Sequence, residues 1–419
     1  MNLSLSMKLY KILYLVSSLL CLSLEVNSQE AAQDFEVPPV FTAASVLKDE
    51  WLRSRNHEVL ESVATQGVTN TYLIKSSFGN FQADGDDLLR IRVREIRAMA
   101  AMQYIAKSKL YGDAAKQALK SPFKMAGNLI DSPGSTVRSV GRGAMRYVRR
   151  AGEAVKRGKT GGGSVKDLIG LNGVKRELAF ELGVDPYSRN PALHRELDEL
   201  AWTSYAGKMT VKAAITIIPA GTAGSIVQGV STSSEIKDAL KNKAPLDLRR
   251  ENREVLERMG INEGEVATFL DHPQYTPSSQ TIITRLLAQL SGAVGRGDFL
   301  RMAITAQDEA DSLFFVRVSQ LMANYQKKQA EIQQVMNFNG LPICLTTEGA
   351  LVVPLACDYG SWSGETAALT EAIGDFQPQG FEVKARHLYL TGELSKRARQ
   401  EIQGSGFQVI ENAFGKFWK

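Results

Sequence analysis

The amino-acid sequence predicts an α+β protein that is predominantly helical. Short alternating apolar segments, separated by turns, lie near the N-terminus between residues 57 and 83. Amphipathic helical patterns then fill residues 165–338, and strand patterns return in residues 339–419. We therefore expect a small N-terminal sheet-plus-helix module, a helical middle and a compact C-terminal α/β unit.

The first 28 residues have the pattern of a secretory signal peptide. Lys8 and Lys11 precede an apolar run at residues 12–24, and a small-residue cleavage site precedes Gln29. The run is about thirteen residues long, whereas a membrane-spanning helix needs roughly twenty. We therefore expect residues 1–28 to be removed and the mature chain to be secreted or periplasmic.

The N-terminal α+β module is expected over residues 29–131. It begins with strand patterns at residues 57–65, 68–76 and 78–83. A helix follows at residues 87–111, with apolar side chains near the 3.6-residue period and Asp86 as its expected cap. A helix packed on a small sheet accounts for these patterns.

Residues 132–164 form a glycine-rich basic segment. It has a charge of +7 from eight basic residues and Glu153, whereas the rest of the mature chain sums to −3. Positive charge is therefore a local property of this chain. The glycines at 161–163 and Ser164 mark the expected domain boundary. The eight basic residues are Arg138, Arg142, Arg146, Arg149, Arg150, Lys156, Arg157 and Lys159.

This basic segment has three interpretations. Valine and alanine alternate with the arginines at helical spacing, as in helices that bind an anionic membrane lipid or envelope glycolipid. Alternatively, the arginines pair with acidic side chains elsewhere in the protein, or the segment contacts a protein partner. Nucleic acid is disfavoured, because Tyr147 is the one aromatic residue available for base stacking.

A helical domain is expected over residues 165–338. Residues 211–230 carry no charge apart from Lys212 and are split by Pro219, as in a buried helical hairpin or a membrane-inserting element. The other helices are expected at residues 165–183, 192–205, 235–243, 247–259, 263–270, 277–290 and 297–335.

The C-terminal α/β module, residues 339–419, opens with an apparent hairpin of strands at 341–345 and 350–356. Cys344 and Cys357 flank it. If Glu348 and Gly349 form the turn, the cysteines lie too far apart for a disulfide unless the chain bends at Pro354. A disulfide and two buried free thiols both remain open. The closing strand, helix and strand at residues 385–390, 395–403 and 407–411 resemble one crossover of a parallel sheet.

Enzymatic motifs are weak in this chain. Ser121 and Lys124 fit the Ser-x-x-Lys pattern of serine acyl-transferases, but the only Lys-Thr-Gly lies close by in the glycine linker. His194 and Asp198 share a helix face without an evident third metal ligand. We therefore expect no metal and no cofactor.

The sequence favours a non-enzymatic protein that binds an anionic envelope surface or a partner through residues 138–159. A serine hydrolase or acyl-transferase that uses Ser121 and Lys124 is one alternative. A purely structural scaffold of the envelope is the other.

Overall fold

The computed structural model describes residues 35–119, 165–218 and 233–416. This part of the chain contains fifteen helices, is 52% helical and also holds several sheets. The prediction of a mixed and mainly helical protein is therefore confirmed. The expected signal peptide, residues 1–28, and the basic segment, residues 132–164, lie outside the described residues.

The N-terminal sheet is antiparallel throughout. Its strands are β1 (Val40–Thr42), β2 (His57–Val59), β3 (Ser62–Gln66), β4 (Thr69–Ser76) and β5 (Gly79–Asp84), with one-turn helices α1 (Ala43–Val46) and α2 (Asp49–Leu52) between β1 and β2. The central strand β4 pairs with β5 on one side and with both β2 and β3 on the other. The single strand expected at residues 57–65 is therefore wrong, because the chain leaves the extended ladder at Leu60 and Glu61.

A long helix follows this sheet, as predicted. It is α3 (Asp86–Ala106), and α4 (Lys109–Leu119) continues after a break at Lys107 and Ser108. Asp86 is not the cap that the sequence suggested. The cap position belongs to Gly85, at φ 100°, and makes no side-chain bond. Asp86 is instead the first helical residue, and its carboxylate accepts a hydrogen bond from the Tyr72 hydroxyl at 2.5 Å.

The middle of the chain is a set of packed helices. They are α5 (Val165–Glu181), α6 (Pro191–Ala206), α7 (Val211–Ile215), α8 (Ser234–Asn242), α9 (Pro245–Arg258), α10 (Glu263–Leu270), α11 (Pro277–Gln289), α12 (Arg296–Ala303) and α13 (Glu309–Lys328). Thr276 caps α11 with its side chain, and proline occupies the first helical position, as the sequence indicates. Of the apolar residues 211–230, the structure describes only the first eight.

The helix expected at residues 297–335 is divided into α12 and α13 around Ala306, and α13 ends at Lys328. The expectation is therefore wrong for residues 329–335. After α13, the chain forms strand β6 (Ile332–Phe338), which pairs antiparallel with β7 (Leu341–Thr346). The local sequence, rich in glutamine with Val335 and Met336, suits a helix, but pairing with an apolar neighbour decides its conformation. Tertiary contacts thus override local propensity here.

The C-terminal sheet has the order β12-β10-β8-β7-β6. Its remaining elements are β8 (Ala350–Leu355), a short β9 (Tyr359–Gly360), α14 (Gly364–Asp375), β10 (Ala385–Leu390), a short β11 (Glu393–Leu394), α15 (Lys396–Gly404) and β12 (Phe407–Ile410). Strands β8, β10 and β12 run parallel, joined through α14 and α15. The predicted closing crossover is therefore confirmed, and a second crossover precedes it.

Helices cover both faces of this sheet. On one face, Val335, Cys344 and Val352 join the apolar cluster of the helical middle, which includes Phe315 and Leu321 of α13. On the other face, strand side chains pack with Ile373 of α14 and with Ala398 and Ile402 of α15. A third cluster joins the N-terminal sheet, α3 and α6. The C-terminal sheet is therefore the middle of three layers.

Candidate functional site

A cavity of about 150 Å³ lies where the parallel strands β8 and β10 end. In sheets of this kind, ligands bind outside the carboxyl ends of the strands. Residues of the N-terminal part, of α13 and of the C-terminal tail complete its wall. They are Lys48, Trp51, Asp86, Asp87, Arg90, Arg317, Cys357, Asp358, Thr391, Gly392, Glu393, Asn412, Phe414, Gly415 and Lys416.

The two parallel strands separate at this point and then pair again. Strands β8 and β10 end at Leu355 and Leu390, and β9 and β11 resume the pairing at Tyr359 and Glu393. Between these two pairings, the Thr391 side chain bridges the two chain segments. Its hydroxyl accepts a hydrogen bond from the Cys357 amide at 2.8 Å and donates one to the Cys357 carbonyl at 2.7 Å.

Gly392 allows the two chain segments to approach closely in this interval. A Cβ atom at this position would lie 2.2 Å from the Asp358 carbonyl oxygen and 2.4 Å from that of Cys357. Both contacts are with backbone atoms, which cannot move aside as a flexible side chain can. Glycine is therefore required where the strands separate.

Asp358 links this edge of the C-terminal sheet to the N-terminal part of the molecule. Its backbone amide donates to the Val68 carbonyl at 2.8 Å. Its carboxylate accepts from the amide of Asn70 at 2.9 Å and from the amide of Asp86 at 3.2 Å. Asp86 opens α3, whose cap position Gly85 has no side chain. Asp358 therefore supplies the missing cap from 272 positions along the chain.

A second carboxyl group faces Asp358. Asp86 is buried, and its carboxylate accepts from the Tyr72 hydroxyl and, at 3.4 Å, from the side-chain amide of Asn70. Burial raises the pKa of Asp358 well above its usual value, and the nearby Asp86 carboxylate raises it further. Two backbone N–H donors oppose this shift without cancelling it. Asp358 therefore holds its proton more tightly than an ordinary aspartate does.

Asp87, which also lines the cavity, is surrounded by arginines. Arg317 binds both oxygens of Asp87, and Arg90 contacts the same carboxylate at 3.0 Å. Burial would raise the pKa of Asp87, but Arg317 and Arg90 outweigh it and lower the pKa to about 2. Burial and the neighbouring arginines lower the pKa of Arg94 to about 10. Positive charge is thus concentrated around one ionised carboxylate.

The basic residues predicted to bind an anionic surface, residues 138–159, lie outside the described residues. Ser121 and Lys124, the alternative catalytic pair, also lie outside them. Within residues 35–119, 165–218 and 233–416, no group of three His, Cys, Asp or Glu side chains is arranged to hold a metal ion. None of the helices in this part of the chain has the length and hydropathy to cross a bilayer.

The two cysteines are free thiols in this structure, and both are buried. A two-residue turn at Glu348 and Gly349 would place Cys344 opposite Val353. The turn has three residues and ends at Gly349, at φ 87°, so Cys344 pairs with Val352 instead. Cys344 belongs to one apolar cluster and Cys357 to the cluster on the opposite face. Burial raises the pKa of both thiols. In this structure the two thiols therefore lie on opposite faces of the sheet.

The spacing of His194 and Asp198 serves packing in the structure. Asp198 pairs with Lys175 of α5 at 2.5 Å. The His194 ring donates from Nε2 to the Ser188 carbonyl at 2.5 Å, and burial lowers its pKa. The two side chains therefore bind different partners and do not converge on one point.

Comparison of the chain with protein-family models, with curated proteins and with solved structures finds no match in any of the three. The cavity itself was not predicted, because its wall comes from distant parts of the sequence. One available signal was the position of Asp358, three residues after the end of β8. Charged residues that directly follow a strand of a parallel sheet lie at its ligand-binding edge.

Proposed function

We propose that this protein is a secreted or periplasmic, non-enzymatic protein that binds an anionic surface of the cell envelope. The binding element is residues 138–159 of the basic segment, and the surface carries anionic lipid or glycolipid. The observation that carries the proposal is the separation of charge. The described residues contain 37 basic and 40 acidic side chains, a net charge of −3, whereas the segment alone has +7.

The arrangement of the flanking helices supports this proposal. Helix α4 precedes the segment, α5 follows it, and both pack against α6. The α4 contact is close, because a Cβ atom on Gly207 would lie 2.3 Å from the Ala114 carbonyl oxygen. The α5 contact is close too, since a Cβ atom on Gly170 would lie 2.7 Å from the Tyr205 ring. Both flanking helices are thus anchored by contacts of their own.

The proposal includes a division of the chain into four parts after the signal peptide. They are an N-terminal module at 29–131, the basic segment at 132–164, a helical domain at 165–338 and a C-terminal module at 339–419. Strand β6, which belongs to the C-terminal sheet, begins at Ile332. The structural scaffold and the Ser121 and Lys124 enzyme remain competing proposals. A covalent serine probe labels Ser121 only if the enzyme proposal holds.

Co-sedimentation with vesicles tests the proposed function. The protein is mixed with phosphatidylglycerol vesicles and with neutral phosphatidylcholine vesicles across a salt series. A variant carries Arg142, Arg146, Arg149 and Arg150 each changed to Gln. Each basic residue near an anionic surface contributes about 1 kcal/mol, so the four changes should weaken binding on the order of a thousandfold. Added salt should weaken the parent protein's binding in the same direction.

A matched variant controls for net charge. It changes four exposed lysines of the described residues, Lys75, Lys107, Lys327 and Lys384, to Gln. This control should bind anionic vesicles nearly as well as the parent protein. Equal losses in the two variants, or no binding by the parent protein, would contradict the proposal. A lower melting temperature in the arginine variant with unchanged binding would instead favour the scaffold.

A further inference from the structure

The cavity at the carboxyl edge of β8 and β10 is large enough for a small organic ligand. One water molecule needs about 10–15 Å³ of such space. With about 150 Å³, the cavity has room for a molecule of roughly ten non-hydrogen atoms. Its wall combines the N-terminal part, α13, the C-terminal sheet and the tail, and ligand sites are common where such parts meet. The wall contains no residue of the basic segment, so a ligand here is independent of the proposed surface binding.

The charges of this wall are balanced. Four of its side chains are basic and four are acidic. They are Lys48, Arg90, Arg317 and Lys416, and Asp86, Asp87, Asp358 and Glu393. An ionic ligand would add a net charge to this wall, and a charge removed from water without a partner is costly. The balance therefore favours a ligand that carries no net charge.

Opposite charges lie side by side at two places on the wall. Asp87 is bound by Arg317 and also contacts Arg90 at 3.0 Å. Glu393 contacts Lys416 at 2.8 Å. Each place thus puts a carboxylate, which only accepts hydrogen bonds, beside a guanidinium or ammonium group, which only donates them. A hydroxyl group can donate to one partner and accept from the other, whereas an ammonium or a carboxylate can do only one of these.

Aromatic rings lie among these polar groups. The guanidinium carbon of Arg317 is 5.3 Å from the centre of the Phe414 ring. Lys416, which belongs to the second ion pair, follows Phe414 by two positions, and Trp51 adds another ring to the wall. Apolar ring surface is therefore available close to the ion pairs. A sugar ring needs both kinds of contact, since it presents C–H groups as well as hydroxyls.

We propose that this cavity binds a neutral monosaccharide. Its hydroxyl groups donate to the carboxylates of Asp87 and Glu393 and accept from the basic partners of these two side chains. The rings of Trp51 and Phe414 cover its C–H groups. A polyol of this size fits the volume, the balanced charge and the side-by-side ion pairs, whereas a carboxylate or an ammonium ligand fits the volume alone. This site adds a small-molecule ligand to a protein whose proposed surface binding uses a different segment.

Isothermal titration calorimetry with defined probes tests the class of ligand. The neutral probes are D-glucose and D-galactose, and each is compared with its uronate, which is anionic, and with its hexosamine, which is cationic. At least one hexose should bind, and its two charged analogues should bind about tenfold more weakly, because their charge has no partner in a balanced wall. Absence of binding by both hexoses would overturn the proposal. A charged analogue that binds as tightly as its hexose would overturn it too.

Variants locate the ligand in this cavity. Glu393→Gln and Lys416→Gln should each weaken hexose binding about tenfold, because hydrogen bonds to charged groups are the stronger ones. The two side chains are 26% and 53% exposed, so loss of their ion pair should not prevent folding. Glu401→Gln, at an exposed acid of α15 outside the cavity, should keep the parent affinity. Unchanged hexose affinity in Glu393→Gln would contradict the assignment, and so would an equal loss in Glu401→Gln.

Discussion

At the scale of single residues, neighbouring aspartates of α3 have different electrostatic environments. Asp87 lies between Arg317 and Arg90, which lower its pKa to about 2. Asp86, one position earlier, faces Asp358, and burial together with this neighbour raises the pKa of Asp358. Adjacent side chains of a helix point in different directions. Asp87 therefore has cationic neighbours, whereas Asp86 has an anionic one.

This arrangement predicts how stability depends on pH. The pKa of Asp358 is higher in the folded protein than in the unfolded chain. Its contribution to the free energy of unfolding is therefore complete below the unfolded-state pKa of about 3.9, and it is lost as pH rises through the folded-state pKa. Asp86→Asn removes the like charge and lowers the pKa of Asp358. Its free energy of unfolding should therefore fall less than that of the parent protein as pH rises from about 4 to 8. Urea unfolding followed by tryptophan fluorescence measures this slope.

The exposed Asp113→Asn, which lies on α4, is the control for this measurement and should keep the parent slope. Asp87 does not affect the slope between pH 4 and 8. Because its pKa is lowered, its contribution to the free energy of unfolding falls only as pH drops from about 4 towards 2. An unchanged slope in Asp86→Asn would show that the two carboxyls do not interact.

At the scale of secondary-structure elements, the sequence predicted those with clear local signals. Thr276 and Pro277 marked the start of α11, and the final strand, helix and strand were found within a few residues of their observed ends. Strand β6 was missed because its partner β7, not its own composition, determines its conformation. The cap of α3 was also missed, because the capping carboxylate is 272 residues away.

Close packing of α4 on the end of α6 gives a prediction for Gly207. In Gly207→Ala, the new methyl group would lie 2.3 Å from the Ala114 carbonyl oxygen and 2.5 Å from that of Thr203. Relief requires α4 to move, so we expect a loss of about 1–3 kcal/mol in the free energy of unfolding. Thermal and urea unfolding measure it.

Gly112→Ala is the matched control within α4. A Cβ atom at Gly112 would meet no atom within 4 Å, and alanine favours the helix by about 0.5–1 kcal/mol. The control should therefore gain stability while Gly207→Ala loses it. Equal effects of the two substitutions would mean that α4 is not held at this contact.

At the scale of the whole molecule, polar side chains join parts that are distant in sequence. Glu95 of α3 accepts from Arg92 at 2.9 Å, from the Asn190 side-chain amide at 2.9 Å and from the Ser188 hydroxyl. Asn190 in turn caps α6, and Arg92 also pairs with Glu309 at the start of α13. No sequence pattern shows these links, because each side chain alone is an ordinary polar residue of a helix or loop.

Glu95→Ala should therefore destabilise the whole protein. The change leaves the buried Arg92 with one acidic partner and frees two donors, a loss of about 3–5 kcal/mol in the free energy of unfolding. Glu61→Ala, at an exposed acid, should stay within about 0.5 kcal/mol of the parent protein. Urea unfolding compares the two. A loss below about 1 kcal/mol for Glu95→Ala would show that this junction contributes little.

The positions of the two cysteines constrain how this chain reaches its native state. Cys344 and Cys357 pack on opposite faces of one sheet, so no side-chain adjustment within the folded protein brings their sulfur atoms together. In an unfolded chain, only twelve residues separate them, and an oxidant can join them readily. A chain crosslinked in this way cannot form the native sheet. Where thiols are oxidised, a chain that folds first avoids this crosslink, and a crosslinked chain must be reduced or exchange its disulfide before it can fold.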